Sequence, residues 1–271
     1  MTLATPLDTS CLSILQLSDT HILASTDAKL LGVNTAYYFQ AVLSLAFANN
    51  AHYDLVMLTG DLAQDPLRAS YVHVLEQMAA YQIPCVCLPG NHDDYAVMQS
   101  VLATDWVNCA KQTLLGNWQV IALNSQIIDD EGGFLSDAEL GFLENCLQQY
   151  PERHALVAVH HHCLPTGSVW MDTMMIDNST EFLAMAKRYP QVKAIVNGHI
   201  HQVMDAQVNG LRVLGTPSTC FQFKPGSVRF ALDNLSPAYR RLDLYADGSL
   251  NTEVIRIAEP LQGLENRTSG Y

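Results

Sequence analysis

Asp19-Thr20-His21, Gly60-Asp61, Gly90-Asn91-His92-Asp93, His160-His161-His162 and Gly198-His199-Ile200-His201 are five short polar runs, each following an apolar, β-like stretch. Their carboxylates and imidazoles form a donor set that suits Mn, Fe or Zn better than Ca or Mg. Taken singly, an Asp-x-His pair in a loop is ordinarily solvated, and Asp61 alone would read as a helix cap. Asp61 gains meaning from Gly60, which permits a tight turn, and from its two oxygens, which can bridge two cations. Asn91 adds a neutral oxygen that shapes a metal site without adding charge. His92 is suited to donate a proton, with Asp93 as a candidate to orient it; the alternative is a Pro89-Gly90-Asn91 turn carrying a surface histidine. The apolar run 156–159 places His160 at the end of a buried strand, which makes it the preferred ligand of the triple. His161 is the second candidate, and His162 is assigned to a neighbouring loop or to substrate. Strand periodicity lets His199 and His201 project to one side. Two metal ions and hydrolytic chemistry are the expectation.

The elements that must position these residues alternate in the first half of the chain. Apolar runs at 14–17, 55–58 and 85–88 read as strands, separated by a helix capped by Asn34 or Thr35 and a second helix over 69–81. Strands are expected at 118–123, 155–159 and 194–197, with a capping box at Ser136-Asp137-Ala138-Glu139 and a helix over 180–188. In an α/β sheet, residues just beyond the carboxyl ends of strands converge on one edge. After residue 201 the pattern becomes strands at 203–208, 211–214, 227–232, 239–245 and 250–257, with Asn209-Gly210 and Asp247-Gly248 as hairpin turns. Antiparallel pairing and a second or mixed sheet follow. One domain over 1–271 is expected, with a surface tail from about 262 to 271.

With 271 residues and 49% of them hydrophobic, the chain can bury a core of that size. A formal net charge of −13 disfavours a general nucleic-acid binder, which needs a basic surface. Small anions remain accessible to a local cationic centre. The seven cysteines are read as reduced and mostly buried. Cys85 and Cys87 are assigned to core packing, with thiols facing different neighbours. Trp170, Met171, Met174 and Met175 form a candidate apolar wall, with plain packing as the default. His52, His73 and His154 have no identifiable partner. No signal-peptide pattern occurs and no apolar segment nears the ~20 residues needed to span a bilayer, so a soluble cytoplasmic protein is expected.

The ordered set Asp-x-His, Gly-Asp, Gly-Asn-His-Asp, His and Gly-His-x-His resembles the calcineurin-like metallophosphoesterase superfamily. Longer matches at Leu31-Gly32-Val33-Asn34, Gly60-Asp61-Leu62-Ala63-Gln64-Asp65, Trp170-Met171-Asp172 and Gly215-Thr216-Pro217-Ser218-Thr219-Cys220 with Gln222-Phe223-Lys224-Pro225 look like bacterial class III 3′,5′-cyclic AMP phosphodiesterases. The resemblance implies a four-layer α/β/β/α sandwich whose two mixed sheets are flanked by helices. It also implies a dinuclear centre of iron or manganese, with zinc or cobalt as alternatives. Asp19, His21, Asp61 and His201 would hold one ion, and Asp61, Asn91, His160 and His199 the other. A bridging hydroxide would attack the phosphorus of cyclic AMP and release 5′-AMP. His92 would protonate the leaving 3′ oxygen, and His21, Asp61, Asn91, His92 and His201 would meet substrate.

Two departures bear on this expectation. Purple acid phosphatases start Asp-x-Asp and carry a tyrosine ligand in the vicinity of which this chain has Gln64, so no ferric charge-transfer site is expected. Cys163 stands where proline commonly follows the histidines. A hydrolase of other phosphodiesters or nucleotides is the competing reading, and a non-catalytic scaffold of the same fold a more distant one. A monomer is favoured over a homodimer, since no heptad pattern or long apolar helix offers an interface.

Overall fold

The computed structural model of the chain describes residues 11–50, 52–265 and 270. Most of the expected C-terminal tail beyond 265 therefore lies outside the described residues. Residues 262–265 run against the segment 31–38: Gln262 N–H donates to the Tyr38 hydroxyl at 2.8 Å and Glu265 N–H to Leu31 O at 2.9 Å.

The first half alternates as its periodicity predicts: β1 (Cys11–Leu17), α1 (Thr35–Asn49), β2 (Leu55–Thr59), α2 (Arg68–Ala79), β3 (Cys85–Leu88), α3 (Tyr95–Val101) and β4 (Val107–Asn108). The middle adds β5 (Gln112–Leu115), β6 (Trp118–Ala122), α4 (Asp137–Gln149), β7 (His154–Val159), α5 (Ser179–Arg188) and β8 (Val192–Asn197). Strands dominate the remainder: β9 (Met204–Val208), β10 (Leu211–Gly215), β11 (Gln222–Phe223), β12 (Leu232–Asp233), β13 (Ala238–Tyr245) and β14 (Leu250–Arg256). Asn34 caps α1 by accepting from Tyr37 N–H at 2.8 Å. Ser136 caps α4, but Glu139 does not close the expected box. Its carboxylate goes instead to Lys111 Nζ and Asn124 N–H, at 2.6 and 3.0 Å, because a tertiary cation is in reach.

Two mixed sheets of six strands result, ordered β14-β13-β1-β2-β3-β4 and β5-β6-β7-β8-β10-β9. The second sheet already begins at β5, and β13 and β14 return to the first, with β13 antiparallel to β1. Ile14, Met57, Val120, Ala158, Val196 and Leu242 belong to the core between the sheets. Leu15, Val56, Phe39 and Val74 pack under α1 and α2, and Val157, Ile195, Leu143 and Phe182 under α4 and α5. Helices thus cover both outer faces, giving four layers, α/β/β/α. Each fully buried aliphatic side chain stabilises this arrangement by about 1.5–3 kcal/mol. Arg240 on β13, only 2% exposed, donates to Gly215 O at 2.8 Å and Met204 O at 3.2 Å, tying the first sheet to the second.

Further expectations are corrected. Residues 227–232 do not form a strand; only Leu232 and Asp233 pair, with Gln222 and Phe223, and the intervening residues turn around Gly226. Cys85 and Cys87 share one face, their sulfurs 3.9 Å apart, because residues two apart on a strand point the same way. Both are core residues as expected. Those concerning His199, His201 and Asp93 are taken up with the site.

Candidate metal centre

Four central strands end at one edge and deliver four of the polar runs there: β1 leads to Asp19 and His21, β2 to Asp61, β3 to Asn91 and His92, and β7 to His160. The run 198–201 follows β8 but is not a strand. β8 stops at Asn197, and both His199 (φ 66°) and His201 (φ 45°) adopt the left-handed backbone conformation. Their convergence comes from this loop, not from strand alternation. Asp19, His21 and Asp61 are left-handed too, at φ 54°, 44° and 51°. Such a conformation costs about 1–3 kcal/mol per non-glycine residue and persists where surrounding bonds dictate it. Here Asp19 N–H donates to Gly60 O at 3.0 Å, His21 N–H to Asp61 O at 2.9 Å, and His199 N–H to Asp19 Oδ1 at 3.0 Å.

The donors fall into overlapping groups whose atoms lie within 4.8 Å of one another: Asp19, His21 and His201; Asp19, Asp61 and His160; His21, Asp61 and His92; and His160, His161 and His199. Asp61 is shared by two of them. Asn91 Oδ1 joins at 3.2 Å from His160 Nε2. All of the expected ligands except Asn91 are buried, and Asn91 is half-buried.

Outer partners set the imidazole tautomers. With His21 Nδ1 donating to Gln64 Oε1 (2.8 Å) and His201 Nδ1 to Phe221 O (2.8 Å), each Nε2 keeps its lone pair, and these two lone pairs face each other at 3.2 Å. Acceptors cannot bond acceptors. His160 Nδ1 donates to Thr59 O (2.8 Å), which leaves its Nε2, 3.3 Å from Asp61 Oδ2, for a metal ion or a proton. Asp61 Oδ2 and His199 Nε2 are moreover buried without a hydrogen bond. Such atoms are costly unless a cation serves them, so the residues fit divalent metal ions.

The electrostatics agree. Burial pushes His21 down to about 3, and burial with the neighbouring His161, His160 and His162 holds His199 well below the imidazole range. Burial also disfavours charge on His160, but the Asp61 carboxylate outweighs it and lifts His160 to about 9. Burial would raise Asp61, yet His160 and His92 hold it well below the carboxylate range. Without metal, a proton on His160 is the nearest charge able to serve Asp61.

Four further expected residues find definite places. His161 Nδ1 lies 2.7 Å from Ser125 Oγ, and its buried Nε2 has no hydrogen bond. His162 Nε2 lies 3.7 Å from Asp172 Oδ1, on the short 3-10 helix Met171–Met174. The carboxylate of Asp93 accepts from Leu62, Ala63 and Gly90 N–H and the Tyr71 hydroxyl, at 3.1, 3.1, 2.9 and 3.1 Å, so it fastens the Asp61 loop to the Asn91 loop. That replaces the expected service to the His92 ring. His92 is half-buried at the mouth, its backbone N–H 3.0 Å from Asp61 Oδ1 and its ring edge-on to His21. The roles of Gln64, Tyr71 and Ser125 escaped the sequence reading. Gln64 was visible beside Gly60-Asp61, but nothing local pointed it at His21.

A calcineurin-like phosphoesterase model matches residues 12–203. The chain belongs to that family. This phosphoesterase is 44% identical over 259 residues to the 3′,5′-cyclic adenosine monophosphate phosphodiesterase CpdA of Escherichia coli K12, covering 95% of this chain and 94% of the relative. It is 37% identical to the Pseudomonas aeruginosa protein of the same name, with 98% of each chain covered. Among solved structures, a dimetal phosphatase from Danio rerio superposes with a TM-score of 0.64 at 13% identity, covering 90% of this chain and 98% of that one, which shows the shared phosphoesterase fold. No described helix of this family member is long and apolar enough to cross a membrane.

Proposed function

We propose that this chain hydrolyses 3′,5′-cyclic AMP to 5′-AMP at a dinuclear centre. The observation that carries the reading is the convergence of buried, cation-demanding donors on the shared Asp61. It is supported by full-length relatives named for that activity. Asp19, His21, Asp61 and His201 would hold one ion and Asp61, Asn91, His160 and His199 the other, iron or manganese first, zinc or cobalt as substitutes. Bound divalent ions supply Lewis acidity toward phosphoryl oxygens and lower the pKa of water.

The chain's own residues orient and protonate. Water adds to phosphorus, the bond from phosphorus to the 3′ oxygen breaks, and that oxygen needs a proton. His92, at the mouth of the cleft beside Asn91, is the donor. General-acid help of this kind is worth roughly 10² to 10⁴ in rate. His160 is the ligand of the triple; its Nε2 faces both Asn91 and Asp61. A cytoplasmic monomer completes the reading.

Product analysis tests it. Manganese- or iron-loaded protein incubated with cyclic AMP is expected to yield 5′-AMP, with the yield abolished by a chelator. Full metal loading without hydrolysis of cyclic AMP would sink the proposal, and preferential cleavage of linear diesters or 2′,3′-cyclic nucleotides would move it to another substrate.

A further inference from the structure

The cleft in front of Asn91, His92 and His199 continues to Trp170, Met174 and Phe230 and encloses about 320 Å³. Its far end is an aromatic assembly. Trp170 packs edge-on against Phe223 (centroids 5.0 Å apart) and Phe230 (5.2 Å), and Phe223 and Phe230 meet at 5.6 Å. Phe223 is buried behind the other two, whereas Trp170, Met174 and Phe230 are half-exposed toward solvent. The assembly is anchored to the metal end of the cleft: Phe223 stacks on the His201 ring at 4.1 Å and 16°. Val169 N–H, donating to Ser227 O at 2.9 Å, ties together the two loops that carry the wall.

We infer that this wall is the nucleobase subsite, with Trp170, Phe230 and Met174 taking the base of a nucleotide whose phosphate lies at the Asn91 and His92 end. The inference rests on the nucleotide reading above and deepens it. Rings and a thioether gain little from sugar hydroxyls or phosphate but much from a flat, polarisable heteroaromatic ring. Truncating one stacking aromatic costs about 10- to 100-fold in affinity for a base-bearing ligand. A residue that merely packs would weaken all ligands alike, or none.

The test compares wild type, W170A and W170F on paired ligands that differ only in the base. One pair is cyclic AMP and the base-free ribose 3′,5′-cyclic phosphate, followed by ³¹P NMR. The other is 5′-AMP and ribose 5-phosphate, bound to metal-loaded protein and followed by calorimetry. W170A is expected to lose about 10- to 100-fold on the base-bearing member of each pair and nothing on the other, with W170F recovering most of the loss. Equal losses on both members, or no loss, overturn the inference. If wild type binds 5′-AMP but leaves cyclic AMP intact, the hydrolytic reading fails while the binding pair still decides the subsite. F230L, measured in the same way, decides the matter should W170A fail to fold.

Discussion

His21 Nδ1 lies 2.8 Å from Gln64 Oε1, and this contact leaves the other nitrogen of His21 facing His201. Removing the acceptor with Gln64→Leu is expected to weaken metal binding by about 10- to 100-fold. Gln64→Glu keeps an acceptor and should retain metal. Metal content after dialysis, read by elemental analysis, checks both variants; undiminished metal in the leucine variant would refute the role.

His92 and Asn91 are neighbours to which the proposed function gives separate duties. His92→Ala should lower turnover by about 10²- to 10⁴-fold with metal content near normal. Asn91→Ala should lose metal. Equal metal retention in the two variants would contradict the division.

Gly90 sits where a side chain has no room. A Cβ there would collide with Asp61 Oδ1 and lie 2.7 Å from His160 Nε2. Gly90→Ala is therefore expected to cost about 1–3 kcal/mol in stability and to displace metal. Denaturation midpoints together with metal analysis would show it, and a variant as stable and metal-rich as wild type would argue against the packing described.

Burial pushes the Cys109, Cys163 and Cys220 thiols up to about 12. A folded-state pKa raised above the ordinary value of 9.0 favours the neutral thiol, so the contribution is intact below pH 9.0 and is lost as pH climbs toward 12. The melting temperature should hold through about pH 8 and then fall progressively in alkali. In native protein at about pH 8, iodoacetamide should label exposed Cys11 well before Cys163 or Cys220.

The parts of this fold that were readable are those written in local chemistry. The runs ending at Leu17, Thr59, Leu88, Val159 and Asn197 are apolar and run into polar residues, so strand and candidate ligand are announced together. β4, with two residues, owes its existence to pairing with β3, and α3 has only seven residues in which to display a period. The loop carrying His199 and His201 reads as strand in the sequence because left-handed backbone leaves no mark on side-chain spacing. Glu139 suited both a capping box and a distant lysine, and only the folded chain decides between them.

The pairing of β1 with β13 carries a consequence for synthesis. Asp19 and His21 follow β1 within a few residues, yet β1 is flanked on one side by residues 240–245, and the acceptor that sets His201 is the carbonyl of Phe221. A nascent chain still missing its last quarter has made every candidate ligand but lacks the strand and the carbonyl that hold them in register. The donors can therefore be held in register only once residues 221–245 have been made and paired.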